Sequence, residues 1–149
     1  MAIYTNDAEI EEVVEKFENC VYSPKEFTHA RHLTVAAWYL MSLPREEALA
    51  RMRENLLRFT AHHGVQGYHE TITQFWLRMA EIFLDSCPKT QGFREVLNAL
   101  MEHFPDKQII FIHYSEERLM SAQARAHWVE PDLKFLPQSG TPVDEQAVS

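Results

Sequence analysis

The residues that decide the fold run from Phe27 to Thr73, and they carry a histidine motif at each end. The first motif is F-T-H-A-R-H-L at residues 27–33, and the second is G-Y-H-E-T-I-T at residues 67–73. Between the two motifs, Pro44 follows one apolar periodic stretch and precedes another. Proline is tolerated in the first turn of a helix and disfavoured in its interior. The stretch therefore predicts a helical hairpin that brings its two ends together.

Helical periodicity continues on both sides of this hairpin. An apolar run at residues 109–112 has no candidate partner strand, so it is interpreted as a buried extended connector. Short links make successive helices antiparallel neighbours. The sequence thus predicts an all-α, up-down helical bundle of five to six helices: about 6–19, 23–42 or 28–42, 44–63, 68–85, 91–103, and a last one that begins at Ser115.

Two helix starts carry capping signals. Asp7 is predicted to cap the first helix. Ser23 is followed three residues later by Glu26, which is the capping-box pattern, and Thr28 offers a second cap for the same helix. Gly64 is predicted to end the third helix, because glycine readily adopts the left-handed conformation common after a helix C-terminus.

Composition limits the classes of function. A chain of 149 residues fits one domain, predicted as residues 1–136, with a disordered tail at residues 137–149. The net charge of −8 argues against nucleic acid and against an anionic membrane surface as partners. The sequence has no basic, apolar secretory start and no apolar run of about 20 residues, so we expect a cytoplasmic protein. Cys20 and Cys87 form no metal-like pair.

Four histidines are predicted to point inward at the same end of the bundle. His29 and His32 share the apolar face of the second helix, three residues apart. His63 continues the apolar series of the third helix, and His69 lies three residues before Ile72 on the apolar stripe of the fourth. Because the three helices alternate in direction, their histidine-bearing ends meet.

Clustered imidazoles suit a transition metal. Residues three apart on a helix can ligate one ion, and mixed nitrogen and oxygen coordination suits Zn, Fe(II) or Ni. The leading hypothesis is a metal-dependent enzyme, hydrolytic or oxidative, that acts on a small molecule. Its ligands would be His29, His32 and His69, with His63 as a further ligand or a base and Glu70 as a ligand or general base. The spacing matches no standard metalloprotease motif.

Other polar residues are assigned to substrate binding. Tyr68 and Thr73 flank the second motif, while Arg31 and Arg125 are candidate partners for an anionic substrate. One alternative hypothesis is a binding or sensor protein without catalysis that uses the same pocket, perhaps as a homodimer built on an exposed helix face. A further alternative is a structural network in which the imidazoles satisfy one another.

Several segments resemble a family of small bacterial proteins of uncharacterised function. The segments are Thr28–Leu33, Trp38–Leu40, Ala61–Gly64, Tyr68–Thr73, the pattern from Tyr114 to Arg125, and Pro131–Leu133. The resemblance covers about residues 20–136. It implies an all-helical fold and carries no activity to any residue.

Overall fold

A computed structural model of the protein describes residues 3–137, and within that range the chain is helical without a β-strand. This confirms the all-α class. The described range contains eight α-helices, which exceeds the five to six expected. Five are long: α1 (Asp7–Glu18), α2 (His29–Ser42), α3 (Arg45–His63), α4 (Glu70–Ser86) and α5 (Phe93–His103). Three are short: α6 (Ile110–His113), preceded by a 3-10 turn at Lys107–Ile109, then α7 (Glu116–Leu119) and α8 (Ala122–Ala126).

Helix α2 lies at the centre of the bundle. It packs against α1, α3, α4 and α5. Its residues Leu33, Val35 and Ala37 are completely buried, and Thr34 is buried with them because its hydroxyl donates to the carbonyl of Ala30. A helix that is apolar on most of its faces is stable only when neighbours cover it on every side. The first motif therefore starts at the end of the most enclosed helix.

The capping residues differ in part from those predicted. Asn6, rather than Asp7, caps α1, and it forms a capping box with Glu9. The Ser23–Glu26 bonds do form, yet they close only a turn, and α2 starts later with Thr28 as its cap. Thr28 has an extended backbone, which ends the Ser23 turn before a second helical turn is made. The alternative start at Thr28 is thus the observed one.

The hairpin closes where the sequence indicates. Helix α2 ends at Ser42 and α3 begins at Arg45, so two residues separate them. Gly64 has φ of 65° and ψ of 29°, the left-handed conformation predicted to end α3. None of the helices within residues 3–137 is long and apolar enough to cross a bilayer. The predicted tail, apart from Pro137, lies outside the described residues.

The apolar run at 109–112 is helical, which corrects the predicted extended connector. The Asp106 carboxylate accepts the backbone N–H of Gln108 at 2.9 Å and starts the 3-10 turn, which leads directly into α6. The helical period buries Ile110 and leaves Ile112 more than half exposed. An apolar run of four residues does not distinguish helix from strand, and a local side-chain cap decides the outcome here.

The last predicted helix is divided into α7 and α8. Ser115 caps α7, and Ser121 caps α8 by accepting the backbone N–H of Ala124 at 3.1 Å. The hydroxyl of Ser121 also donates to the carbonyl of Arg118. A serine that bonds the backbone on both sides competes with the helical ladder, so the chain turns at that position.

Candidate functional site

A cavity of about 730 Å³ lies where the starts of α2 and α4 meet the loop that follows α5. Apolar side chains of α3, of α4 and of the turn before α2 form much of its wall. Polar groups are concentrated at the two helix starts. The lining residues are Pro24, Lys25, Phe27, Thr28, His29, His32, Leu56, Thr60, Gly67, Tyr68, His69, Ile72, Thr73, Trp76, Pro105, Asp106 and Lys107.

The cavity contains part of the predicted site. The predicted residues on its lining are His29, His32, His69, Tyr68 and Thr73. The predicted residues outside the lining are His63, Glu70, Arg31 and Arg125. The two ends of the Phe27–Thr73 stretch thus line one cavity. Fewer of the predicted site residues lie on it than the sequence suggested.

His29 is the first residue of α2 and is held by a residue far along the chain. Its Nε2 lies 3.0 Å from the carbonyl oxygen of Phe104, and its ring packs edge-on against Trp76 with centroids 4.6 Å apart. A carbonyl can only accept, so Nε2 carries the proton and Nδ1 keeps a lone pair. Burial lowers the pKa of His29, although the bond to Phe104 opposes this effect. His29 is therefore a neutral imidazole of fixed tautomer.

His32 lies three residues later on the same side of α2. Its ring meets the ring of Phe27 at a centroid distance of 5.9 Å, and no hydrogen bond to it is found among residues 3–137. Burial lowers the pKa of His32 to about 4, and the neighbouring His29 adds to the effect. The neutral ring offers one donor and one acceptor to whatever enters the cavity.

His69 has a structural role that was not predicted from the sequence. It caps α4: Nδ1 accepts the backbone N–H of Ile72 at 3.2 Å, while Nε2 donates to the carbonyl of Leu119 at 2.7 Å. Burial lowers its pKa, which keeps the ring neutral and able to accept. Both ring nitrogens are thus occupied. A position immediately before Glu70 and three before Ile72 matches a cap, but histidine is an uncommon cap residue.

Glu70 is buried, and it forms an ion pair with the partly exposed Arg53. Its two carboxylate oxygens accept from Arg53 Nε at 3.0 Å and Nη2 at 2.6 Å, and they also accept from the Tyr68 hydroxyl and from Gln74. Burial alone would raise the pKa of Glu70, but these hydrogen bonds and the charge of Arg53 lower it to about 2. The carboxylate is already saturated with donors, which weakens the case for a general base.

His63 packs beside the cavity rather than on it. Its ring is 4.7 Å from the ring of Phe59 and 4.8 Å from that of His62. Its Nε2 is buried and has no hydrogen-bond partner within the described part of the chain. Phe59 in turn contacts Phe27 at 5.4 Å, so two aromatic rings link His63 to the wall of the cavity.

The predicted arginines have other partners. Arg31 lies over the ring of Tyr22, 4.5 Å from its centroid, and donates to the carbonyl of Glu26. Arg125 is exposed on α8 and contributes a positive charge near His69. The cations that do line the cavity are Lys25 and Lys107, which the sequence reasoning did not single out. Lys107 lies near His29 because of the way α5 packs in the bundle. Helical periodicity in the sequence does not predict that packing.

The donor set does not fit a resident metal ion. Between residues 3 and 137 no three His, Cys, Asp or Glu side chains converge closely enough to hold one. His69 is also occupied, because both of its ring nitrogens are engaged by backbone groups. Two imidazoles, His29 and His32, remain on the cavity wall. The Zn, Fe or Ni ion stays a prediction.

The buried neutral imidazoles predict a loss of stability in mild acid. His32 has a folded-state pKa of about 4 against 6.5 for a free ring, so the unfolded chain binds the proton first. The contribution of His32 to the free energy of unfolding is therefore greatest above pH 6.5, and it declines as the pH falls toward 4. We expect urea unfolding midpoints to decline across this window, and to decline less in His32→Gln. The control is His62→Gln at an exposed position, whose slope should equal that of the wild type. Equal slopes in all three proteins would contradict the assignment.

Comparison with protein-family models, with curated protein sequences and with solved structures finds no match for this chain. The resemblance to small bacterial proteins therefore stays a prediction. Functional inference here depends on the cavity and on the residues that line it.

Proposed function

We propose that the protein binds a small organic molecule in the cavity lined by His29 and His32. One observation supports this most: the starts of two helices enclose a cavity of about 730 Å³ and place two neutral imidazoles on its wall. Small-molecule sites typically span about 300–1,000 Å³. They combine mostly apolar walls with a few positioned polar groups, and this cavity has the same composition.

The walls favour a ligand with an apolar or aromatic body. Trp76 is almost fully buried, so only one surface of its ring can face a ligand. Phe27 is fixed by stacking on Phe17, with centroids 4.4 Å apart and planes 9° apart. Ile72 and Leu56 complete this wall. Side chains held this firmly lose little conformational entropy when a ligand binds.

The imidazoles favour a ligand that donates a hydrogen bond. His29 keeps its Nδ1 lone pair because Phe104 occupies Nε2, and His32 has no partner among the described residues. A neutral ring in an apolar setting accepts an O–H or N–H strongly, because an unmatched polar atom there is costly. Each ring needs its own donor hydrogen, so a ligand with two O–H or N–H hydrogens would satisfy both rings.

A catalytic version of this proposal assigns the general base to His29. Its tautomer is fixed by the Phe104 carbonyl, and its lone pair is available at neutral pH because its pKa is lowered. Glu70 is less suited, since Arg53, Tyr68 and Gln74 already surround its carboxylate. Binding without catalysis, as in a sensor protein, uses the same contacts and needs no base.

A pair of cavity-filling variants tests the proposal. Thr60 lines the cavity, while the next residue, Ala61, is exposed and does not line it. Fragments that bind the wild type in ligand-observed NMR are expected to bind at least about tenfold more weakly to Thr60→Phe, because the added ring occupies their space. Ala61→Phe is the matched control and should bind them as the wild type does. A fragment library without hits, or hits that bind Thr60→Phe unchanged, would refute a binding pocket here.

A further inference from the structure

The charged residues on the cavity wall differ in net sign from the chain as a whole. The chain carries a net charge of −8. On the lining, two lysines and one aspartate, with neutral histidines, leave a formal charge of +1. Charges of one sign at the mouth of a cleft raise the local concentration of ligands of the opposite sign. The formal charge of the cavity lining is thus opposite in sign to the net charge of the whole chain.

Neither lysine forms a salt bridge with an acidic residue of the described range, 3–137. Salt bridges between residues 3 and 137 involve Lys16, Arg45 and Arg53, and none involves Lys25 or Lys107. Both ammonium groups are exposed at the rim. Lys107 is close enough to His29 for its charge to disfavour protonation of that ring, while the charge of the neighbouring Asp106 favours protonation and has the larger effect. The charged residues that follow α5 therefore lie beside His29.

The single acidic residue of the described lining is already engaged. The Asp106 carboxylate accepts the backbone N–H of Gln108 at 2.9 Å and caps the 3-10 turn that carries Lys107. Its charge thereby helps to form the turn that places Lys107 at the rim. A cationic ligand would meet two ammonium groups that form no salt bridge among the described residues. It would also meet one carboxylate that already accepts a backbone hydrogen bond.

We propose that the ligand is an organic anion, with a carboxylate or phosphate ester at Lys25 and Lys107 and an apolar body against Trp76, Phe27 and Ile72. This inference rests on the proposed function and adds the ligand class. Charge-assisted hydrogen bonds at the rim supply the preference for an anion. The aromatic wall supplies affinity that does not depend on charge.

Four probes with the same phenyl body and different polar ends test the inference. They are phenylacetate, benzyl phosphate, phenylacetamide and phenethylamine, each measured by protein-observed NMR titration. At least one of the two anions is expected to bind about tenfold or more tightly than the amide, and the amine is expected to bind weakest. The stronger of the two anions identifies the polar end as carboxylate or phosphate ester.

Charge-neutral variants connect this preference to the rim. In Lys25→Gln/Lys107→Gln the affinity for the preferred anion should fall about tenfold while that for phenylacetamide is unchanged. Lys89→Gln is the matched control, because Lys89 is also exposed but lies away from this cavity. Its affinities should equal those of the wild type. All three lysines are exposed, so the variants should fold normally, which melting curves would verify.

The outcomes separate this inference from the proposed function. Amide and amine binding as tightly as the anions, with all of them excluded by Thr60→Phe, overturns the anion inference and leaves the binding pocket standing. An anion preference that survives in the double lysine variant also overturns the inference. If no probe binds at millimolar concentration while other fragments do, the ligand class is wrong. If neither probes nor fragments bind, both proposals fail.

Discussion

Replacing His69 by alanine should lower the free energy of unfolding by about 2–4 kcal/mol, since a lost cap costs about 0.5–2 kcal/mol and an unpaired buried carbonyl about 1–3 kcal/mol. The ring accepts from Ile72 and donates to Leu119, so the substitution breaks both bonds. It also leaves a gap at a position that is 5% exposed. Urea denaturation of the variant at pH 7.5 measures the loss.

Two further substitutions separate a cap from a ligand. His69→Asn restores an acceptor for the start of α4 but not the donor to Leu119, so it should recover about half of the loss. His32→Ala removes no hydrogen bond identified among the described residues, and it should cost about 1 kcal/mol or less. Equal stability of His69→Ala and the wild type would contradict the cap. A stoichiometric transition metal in the wild type that is absent from His69→Ala would support the predicted metal ligand instead.

Replacing Glu70 by alanine should destabilise the protein by about 2–3 kcal/mol, somewhat less than the 3–5 kcal/mol typical of broken buried pairs, because the Arg53 side chain is 40% exposed and can be hydrated. The Tyr68 hydroxyl and the Gln74 amide lose their acceptor at the same time. Glu70→Gln keeps the shape and one acceptor, so its loss should be smaller. Chemical denaturation at pH 7 compares the two variants.

The pH dependence of this loss identifies the carboxylate as its source. The pKa of Glu70 is about 2 in the folded protein against 4.5 in the unfolded chain. A lowered carboxyl pKa stabilises the fold fully above pH 4.5, and this stabilisation disappears as the pH falls toward 2. The stability difference between wild type and Glu70→Ala should shrink over that window. A double-mutant cycle with Arg53→Ala gives the coupling directly. A coupling free energy near zero would show that the pair contributes nothing.

These two substitutions also bear on the roles predicted from the sequence. His69 and Glu70 are adjacent in the second motif, His69 being predicted as a metal ligand and Glu70 as a ligand or general base. In the structure each has every polar atom of its side chain engaged by protein groups. Among the predicted histidines of the cavity lining, the ring nitrogens that remain available to a ligand belong to His29 and His32.

Sequence periodicity was sufficient for the fold class and for the hairpin. The positions of Pro44 and Gly64 fixed where α2, α3 and α4 meet, and the helix ends agree within a few residues. Helical spacing also placed His29, His32 and His69 on the side of their helices that faces one cavity. These are local properties, which depend on neighbours three or four residues apart.

Sequence periodicity did not predict the hydrogen-bond and ion-pair partners of the polar side chains. His69 bonds a carbonyl 50 residues away, and His29 bonds one 75 residues away. Arg53 reaches Glu70 from another helix. A side chain on an inward face can be a cap, a ligand or half of an ion pair, and only the packing of distant segments selects among them. For the same reason Lys107 was not recognised as part of the site.

The hydrogen bonds of Thr71 affect how this protein tolerates insertions and deletions. Its hydroxyl lies 2.7 Å from the Ala124 carbonyl and 2.8 Å from the His127 carbonyl, and it accepts the N–H of Val129, while the nearby His69 holds Leu119. The segment 119–129 is thereby fastened to the start of α4, which forms part of the cavity wall. Insertions or deletions between residues 119 and 129 should shift that wall, so the two segments must vary in concert.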